Sequence, residues 1–500
     1  MTARRRGGPP EGSAARELID SGFALENADA PFLHAGLNLA DIAHVLDLLR
    51  RGIVPPAAAR DLLRLLLEVQ ATDAAQFPYD PEFGEPYNSR ERLFVSRLGD
   101  TAGWLHAGRP RREAARIALR IYLREQLLDL VDVVVDFVQR TASVAAQHVE
   151  TLMPDQTYLQ QAQPSTFGHY VLSFAYPAVR DAERLLDEFG AINRSPGGAG
   201  CVNGTRLLDD RGFVARALGF DAVIEHTRDA MWQIDGLIHV LATAASLLST
   251  QSKLAEDLEI WSSSEFDFVD LADAYTRSSI LMPQKRNPYS LAIVRGASGV
   301  LIGRLTGFLA VAKSPSARSD NLIFAYGEVP RALDLAIRVT RLMSGVMGTL
   351  RVNADRLAEE LAAGYTQATD LTEFIVQTCG IDYRSAYVVV GKTVREASRR
   401  GIAGRNITGA MLDEAARAET GRSWDLTDVD LAPALDARAI VATRAGVGGA
   451  APSAVRAMIA QCEERAADLQ RAIAERRQRL QQAERQLLGD AARTVEEAAR

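Results

Sequence analysis

The sequence predicts an all-α protein built around a bundle of long helices, and three observations carry this prediction. Apolar residues recur at three-to-four spacing along residues 112–152, a helical pattern of about forty positions. Similar stretches follow at residues 168–190, 230–262 and 291–313, separated by breaks rich in Gly or Ser. Strand signals are few, because β-branched runs such as residues 387–390 lie in helical surroundings.

The chain divides into three predicted domains. Residues 1–111 form an N-terminal, mainly helical domain, in which residues 1–30 are expected to fray or to dock on a neighbouring subunit. Residues 112–363 form the long-helix bundle, which carries a loop at residues 277–290. Residues 364–500 form a small helical domain and a highly charged helical tail, which is either solvated or in contact with another subunit.

Three glycines predict a close helix contact within the stretch at residues 291–313. Gly299, Gly303 and Gly307 recur every four residues, which puts three positions without side chains on one helix face. Each glycine costs a helix about 1 kcal/mol relative to Ala. We therefore expect a neighbouring helix to pack tightly against this face and to offset that cost.

Composition limits the classes of function. The chain has 500 residues, of which 47% are apolar, and this is enough to bury a large core. Its formal net charge of −7 provides no positive field for nucleic acid or for an anionic membrane. An anionic substrate must therefore be met by local clusters of Arg and Lys.

Cysteine usage and the N-terminal composition predict a cytoplasmic protein. Cys201, Cys379 and Cys462 are far apart and show no metal-ligand spacing, which indicates a reducing compartment and no structural zinc. The N-terminal positive charge is not followed by the apolar stretch of a secretory signal. The most apolar segments are interrupted by Asp or His, so we predict no membrane partner.

The segment Ser278-Ser279-Ile280-Leu281-Met282-Pro283-Gln284-Lys285-Arg286-Asn287-Pro288 is the strongest candidate for chemistry. It places two hydroxyls, two cations, an amide and two prolines between helical stretches. This composition suits a loop over a site, although an exposed basic turn would have a similar one.

This segment resembles the signature loop of the fumarase/aspartase superfamily, Gly-Ser-Ser-x-Met-Pro-x-Lys-x-Asn-Pro. Ser278 stands in place of the Gly and Ile280 in place of the second Ser. The chain is similar to argininosuccinate lyases in particular, over nearly its whole length. Further matching segments are Gly99-Asp100 with Leu105 to Arg111, Met153-Pro154 with Thr157 and Leu159-Gln160, Gly198-Ala199-Gly200 and Gly448 to Pro452.

The resemblance implies a homotetramer with a twenty-helix core, in which each active site takes residues from three subunits. It implies β-elimination that releases fumarate, with no metal or cofactor. By position, Ser279 is the base, and Lys285 and Asn287 stabilise the aci-carboxylate that forms. Arg111 and Thr157 would hold the two succinyl carboxylates. The other substrate-binding candidates are Arg112, Tyr158, Gln160, Ser278 and Met282.

Two departures from the argininosuccinate lyase pattern affect the proton donor. Tyr158 replaces the catalytic histidine, and Ala292 replaces the glutamate that pairs with it. Loss of both partners leaves no unpaired buried charge, which indicates a reorganised site and not decay. The leaving nitrogen is then protonated by water or by Tyr158, and Tyr158 is alternatively a packing residue.

A third departure concerns the leaving group. Arg112 is added beside Arg111, and the segment that holds arginine in the family is replaced around residues 316–321, which include Arg318. Arginines pair with carboxylates and repel a guanidinium, so we predict an aminopolycarboxylate substrate such as ethylenediamine-N,N′-disuccinate (EDDS). The alternatives are argininosuccinate, a non-catalytic structural relative and an adenylosuccinate lyase.

Overall fold

The computed structural model describes residues 13–314 and 322–496, and within these ranges most residues are helical. In chain order the helices are α1 (Arg16–Leu18), α2 (Ala24–Ala28), α3 (Ala30–Arg50), α4 (Pro56–Gln70), α5 (Pro86–Leu98), α6 (Arg111–Gln147), α7 (Phe167–Ile192), α8 (Gly212–Ala217), α9 (Thr227–Trp232), α10 (Asp235–Trp261), α11 (Tyr289–Ala312), α12 (Ile323–Tyr326), α13 (Glu328–Thr349), α14 (Ala354–Ala363), α15 (Ala368–Cys379), α16 (Tyr383–Arg399), α17 (Gly409–Thr420), α18 (Asp428–Leu435), α19 (Ala437–Thr443) and α20 (Pro452–Glu496).

The strands are short and pair only locally. They are β1 (Leu152–Thr157), β2 (Gln160–Thr166), β3 (Arg194–Ser195), β4 (Ala222–Val223), β5 (Val269–Asp270), β6 (Arg277–Ser278), β7 (Arg286–Asn287) and β8 (Arg351–Val352). The antiparallel pairs are β1 with β2, β5 with β8 and β6 with β7, whereas β3 and β4 are parallel. Because no larger sheet forms in the described chain, the all-α prediction is confirmed.

The central bundle is organised around α6, which spans 37 residues. It packs against α7, α13, α20 and α3, and α10 bridges α7 and α11. Helices α6, α7, α10, α11, α13 and α20 share one apolar core cluster, whereas most of the buried apolar residues of α3 belong to neighbouring clusters. The start of α7 crosses the end of α6 closely, since a Cβ on Gly168 would lie 2.7 Å from the carbonyl oxygen of Ala145. Only glycine fits at that crossing.

Two smaller apolar clusters flank the bundle. One joins α3, α4 and α8, and the other joins α15 to α18. The 45-residue helix α20 runs between these regions, because its residues from Val455 to Leu480 belong to the bundle cluster and Leu487 belongs to the N-terminal one. The charged tail is therefore a helix whose apolar stripe packs on its own subunit.

Helix α11 presents an apolar face to the outside of the subunit. Ile293, Val300, Ile302 and Leu309 are exposed there. A Cβ added at Gly299, Gly303 or Gly307 would meet no atom of the described chain within 4 Å. The expectation that these glycines receive a neighbouring helix is therefore wrong within one subunit, because α10 and α13 pack on other faces of α11.

Two helices, α3 and α11, are long and apolar enough to cross a membrane by length and composition. The most apolar window of α3 is 78% buried, as in a core helix, and that of α11 is 33% buried. Helix α3 is therefore enclosed by its own subunit, whereas the apolar face of α11 is left uncovered by it.

The hairpin formed by β1 and β2 follows α6 and carries Thr157 next to its turn. Thr157 pairs with Gln160, and the turn between them puts Tyr158 and Leu159 at φ of 55° and 59°. A left-handed conformation at two bulky residues costs on the order of 1–3 kcal/mol each, and such strain is common at functional sites.

Candidate active site

The first turn of α6 presents the two arginines of the predicted binding region. Arg111 is the first residue of the helix, and its Nε lies 3.5 Å from Oε1 of Glu85. Arg112 lines a cavity of about 70 Å³ together with Glu26, Asp29 and Glu85. Both side chains are half-buried, so each can reach a ligand while its stem packs on protein.

A buried ion network fixes the chain just before this turn. Asp41 on α3 accepts hydrogen bonds from Arg90 (2.8 Å), from Arg109 and from the hydroxyl of Tyr87 (2.9 Å). Burial alone would raise the pKa of Asp41, but the guanidiniums of Arg109 and Arg90 hold this pKa below its ordinary value. Both oxygens of Asp41 are thus engaged by cations, and Arg109 is held two residues before Arg111.

Glu113 ties the same turn to a glycine-rich segment at residues 195–205. Its Oε1 accepts a hydrogen bond from the N–H of Gly198 (2.8 Å), and burial raises the pKa of Glu113 to about 7. Gly198 has φ of +73°, a conformation that favours glycine, and a Cβ there would clash with Arg211. Glu113 was not predicted from its position in the sequence, because an acidic residue in a first helical turn is usually solvated.

The tip of the β1–β2 hairpin carries the second predicted region. Thr157, Tyr158 and Gln160 are all exposed, and Tyr158 has 99% of its surface accessible. Tyr158 is therefore not a packing residue within the described subunit. Gln160 lines a cavity of about 640 Å³ whose opposite wall includes Arg356 and Glu360 of α14.

The third region, residues 277–287, is a small hairpin closed by β6 and β7. The N–H of Ser279 donates to the carbonyl of Lys285 (3.1 Å), and the N–H of Met282 donates to Oγ of Ser279 (3.0 Å). Asn287 donates its side-chain amide to the carbonyl of Arg277 (3.0 Å). A donor aimed at Oγ favours the ionised hydroxyl, which is what a serine base requires.

Two residues of this loop that are predicted to act on the substrate differ in their surroundings within one subunit. Lys285 is exposed. Asn287 is half-buried, and its amide nitrogen donates to the carbonyl of Arg277, which leaves a second amide hydrogen for a ligand. Ser278 and Met282 are also exposed, whereas Ser279 is half-buried.

The three regions are not joined within one subunit. In the described parts of the chain, no hydrogen bond or ion pair links Arg111, the Thr157 turn and the Ser279 loop. Ala292 lies exposed in the first turn of α11, directly after the loop. Arg318, predicted for the leaving group, lies outside the described residues.

Comparison with known proteins gives the family. The chain matches the family described as Lyase over residues 67–303 and the Argininosuccinate lyase C-terminal family over residues 365–442. It is 34% identical to an argininosuccinate lyase of Methanoculleus marisnigri over 444 residues, which are 88% of each chain. The chain belongs to the argininosuccinate lyase group of the fumarase/aspartase superfamily. A second such enzyme, from Methanosphaerula palustris, is 35% identical over 91% of this chain and 92% of its own.

A solved structure extends the similarity to the fold. An EDDS lyase variant with bound fumarate superposes with a TM-score of 0.86 and 29% sequence identity, over 97% of both chains. The predicted family and the lyase class are thus confirmed, and this member of the superfamily is a carbon–nitrogen lyase that forms fumarate.

Proposed function

We propose that the protein removes an amine from an N-substituted aspartate by β-elimination, with Ser279 as the base. The Ser279 alkoxide takes a Cβ proton, the C–N bond breaks, and the released amine takes a proton from water or Tyr158. Arg111 and Thr157 hold the succinyl carboxylates, and Lys285 and Asn287 face the carboxylate that gains charge. The Met282 N–H that donates to Oγ of Ser279 is the observation that carries this assignment.

The active site is composite and needs a homotetramer. The exposed apolar face of α11, with Ile293, Val300, Ile302 and Leu309, supports this part of the proposal. A second helix on that face would cover it, and Gly299 and Gly303 leave room for a close approach. Assembly of the subunits would also bring the first turn of α6, the β1–β2 hairpin and the loop at residues 277–287 close together. We place the enzyme in the cytoplasm and expect it to use no metal or cofactor.

The preferred substrate is an aminopolycarboxylate such as EDDS. Arg112 supports this choice, because it is a second cation beside Arg111 and shares a cavity with Arg116. Two guanidiniums suit a leaving amine that itself carries carboxylate. An EDDS lyase is also among the solved structures that this chain resembles, at 29% sequence identity.

Argininosuccinate is the second candidate, for a different reason. Glu26, Asp29 and Glu85 line the same cavity as Arg112, and carboxylates would accept a guanidinium. Asp29 is paired with Arg331 (2.6 Å) and Glu85 with Arg111, so a substrate guanidinium would compete with these arginines for the carboxylates. The curated relatives named above are argininosuccinate lyases.

The two candidates are separated by measuring fumarate absorbance with EDDS and with argininosuccinate at equal concentrations. We expect the higher kcat/KM for EDDS, and activity that survives dialysis against a chelator. A higher kcat/KM for argininosuccinate would overturn the preference. No fumarate from either substrate, with an intact tetramer, would favour a non-catalytic relative.

A further inference from the structure

One small cavity beneath the first turn of α6 is lined by three buried polar side chains besides Arg109. His44 and Asp47 come from α3 and Glu113 from α6, and each is at most 2% exposed. Each contributes one atom without a hydrogen-bond partner in the described protein, namely Nε2 of His44, Oδ2 of Asp47 and Oε2 of Glu113. The cavity has a volume of about 10 Å³.

The other polar atoms of these side chains are already engaged. Oδ1 of Asp47 accepts from Arg50 (2.8 Å) and Arg51 (3.1 Å). Oε1 of Glu113 accepts from the N–H of Gly198. Burial, followed by the charge of Arg109, keeps the pKa of His44 well below its ordinary value, so the ring is neutral. Its proton belongs on the nitrogen that faces the carbonyl of Ala107, which leaves Nε2 as an acceptor.

The size and lining of the cavity match a single water molecule. A buried water needs on the order of 10–15 Å³ and two to four polar partners. The two arginines that also line the cavity have donors directed elsewhere, Arg109 to Asp41 and Arg211 to the carbonyls of Gly197 and Ile224. The three unpartnered atoms are thus the groups that a water would meet.

The numbers of hydrogen-bond donors and acceptors around the cavity match only when Glu113 is protonated. With Glu113 ionised, three acceptors compete for the two hydrogens of one water. With Glu113 protonated, its O–H donates to the water oxygen, and the water donates to His44 and Asp47. All four groups are then satisfied, and satisfied buried networks hold their members rigidly.

We propose that this cavity binds one ordered water, held by His44, Asp47 and protonated Glu113, and that Glu113 thereby acts as a positioning residue for Arg111 and Arg112. The second half of the proposal rests on the proposed function. The water joins α3 to α6 one residue beyond Arg112, while Oε1 of the same carboxyl fastens the glycine-rich segment. Loss of the proton removes one hydrogen bond from this junction.

The groups around Glu113 make the protonated form predominant below about pH 7. Burial raises its pKa to about 7, against the N–H groups of Gly198 and Gly200 and the cations Arg109 and Arg211, which lower it. His44 is neutral, and the carboxylates of Asp47 and Asp210 also line the cavity.

The water and the proton are tested directly on the full-length enzyme without substrate. A high-resolution crystal structure should show one water within hydrogen-bond distance of the three atoms. Difference infrared spectra between pH 6 and 8 should show a carboxylic-acid C=O band that disappears in Glu113→Gln and persists in the matched control Glu125→Gln. Glu125 lies further along α6 and does not line the cavity. A cavity without water, or the absence of the band, would overturn the proposal.

The positioning role is tested by the pH dependence of KM and kcat. In the wild type we expect KM to rise about fivefold from pH 6 to 8, the equivalent of one lost hydrogen bond, while the change in kcat is small. Glu113→Gln should abolish the rise, because its amide donates as the protonated acid does, and Glu125→Gln should keep it. An equal rise in both variants would refute positioning. If no succinyl substrate is turned over, the proposed function fails, and the crystallographic and infrared results still decide the water network.

Discussion

The first turn of α6 and the loop at residues 277–287 are two parts of the proposed site, and they differ in how they are held. Beneath the α6 turn, Asp41 and Arg90 form an ion pair with no exposed side-chain surface. In the loop, Ile280 and Leu281 are 102% and 85% exposed, and the hairpin is closed by a two-residue strand pair and Asn287. The backbone that precedes Arg111 and Arg112 is thus held by buried contacts within one subunit.

The difference separates the tasks of the two regions. Under the proposed function, arginines on a fixed helix turn bind carboxylates with little movement of the backbone, whereas an exposed lysine stabilises charge strongly only after water is excluded. In the same proposal, Lys285 stabilises charge once other subunits of the tetramer cover the loop. Changes in the α6 region should therefore alter stability and KM, and changes in the loop should alter kcat.

The largest effect is expected from breaking the buried ion network. Asp41→Ala leaves Arg90 and Arg109 buried without their carboxylate, and the free energy of unfolding should fall by about 3–5 kcal/mol in denaturant titrations. Asp334→Ala, which removes an exposed pair with Arg338, is the control and should change it by less than about 1 kcal/mol. Equal effects would mean that the α6 turn is no better fixed than the surface.

The second-largest effect is expected when the lysine of the loop loses its charge, which tests whether the loop carries the chemistry. Lys285→Met removes the cation but keeps the length of the side chain, and kcat should fall about 100-fold with KM little changed. Lys253→Met on the exposed surface of α10 is the control and should have wild-type kcat. A raised KM with unchanged kcat would assign Lys285 to binding.

The smallest effect is expected from the loss of an arginine in the first turn of α6. Arg111→Ala removes one carboxylate partner, and KM should rise about tenfold while kcat changes little, since the loop remains intact. Arg97→Ala, which removes an exposed pair with Glu68, should leave both constants unchanged. A loss confined to kcat would contradict the division of tasks.

The sequence predicted the parts of the fold that follow from periodic apolar burial. The stretch at residues 112–152 became α6, which ends earlier, at Gln147, and is followed by β1. The β1–β2 hairpin was missed because its turn contains Tyr158 and Leu159 and not the Gly or Asn that left-handed turns favour. The exposure of Gly299 could not be predicted, since periodicity does not tell which partner covers a helix face.

Only some features of the candidate site could be predicted from the sequence, for similar reasons. The loop motif located Ser279 by its neighbours in sequence, and the structure adds the Met282 N–H that donates to its Oγ. Glu113 could not be found this way, because its burial depends on Gly198, which lies far along the chain. The exposure of Lys285 depends on how the loop extends from the bundle, which composition does not encode.

The most direct test of the division between binding and chemistry is fumarate release by Ser279→Ala. The variant should form the same assembly as the wild type and bind fumarate with similar affinity, yet release no fumarate from EDDS or argininosuccinate. Ser423→Ala, in the exposed turn after α17, should release fumarate at the wild-type rate. Activity that survives in Ser279→Ala would contradict the assignment of Ser279 as the base.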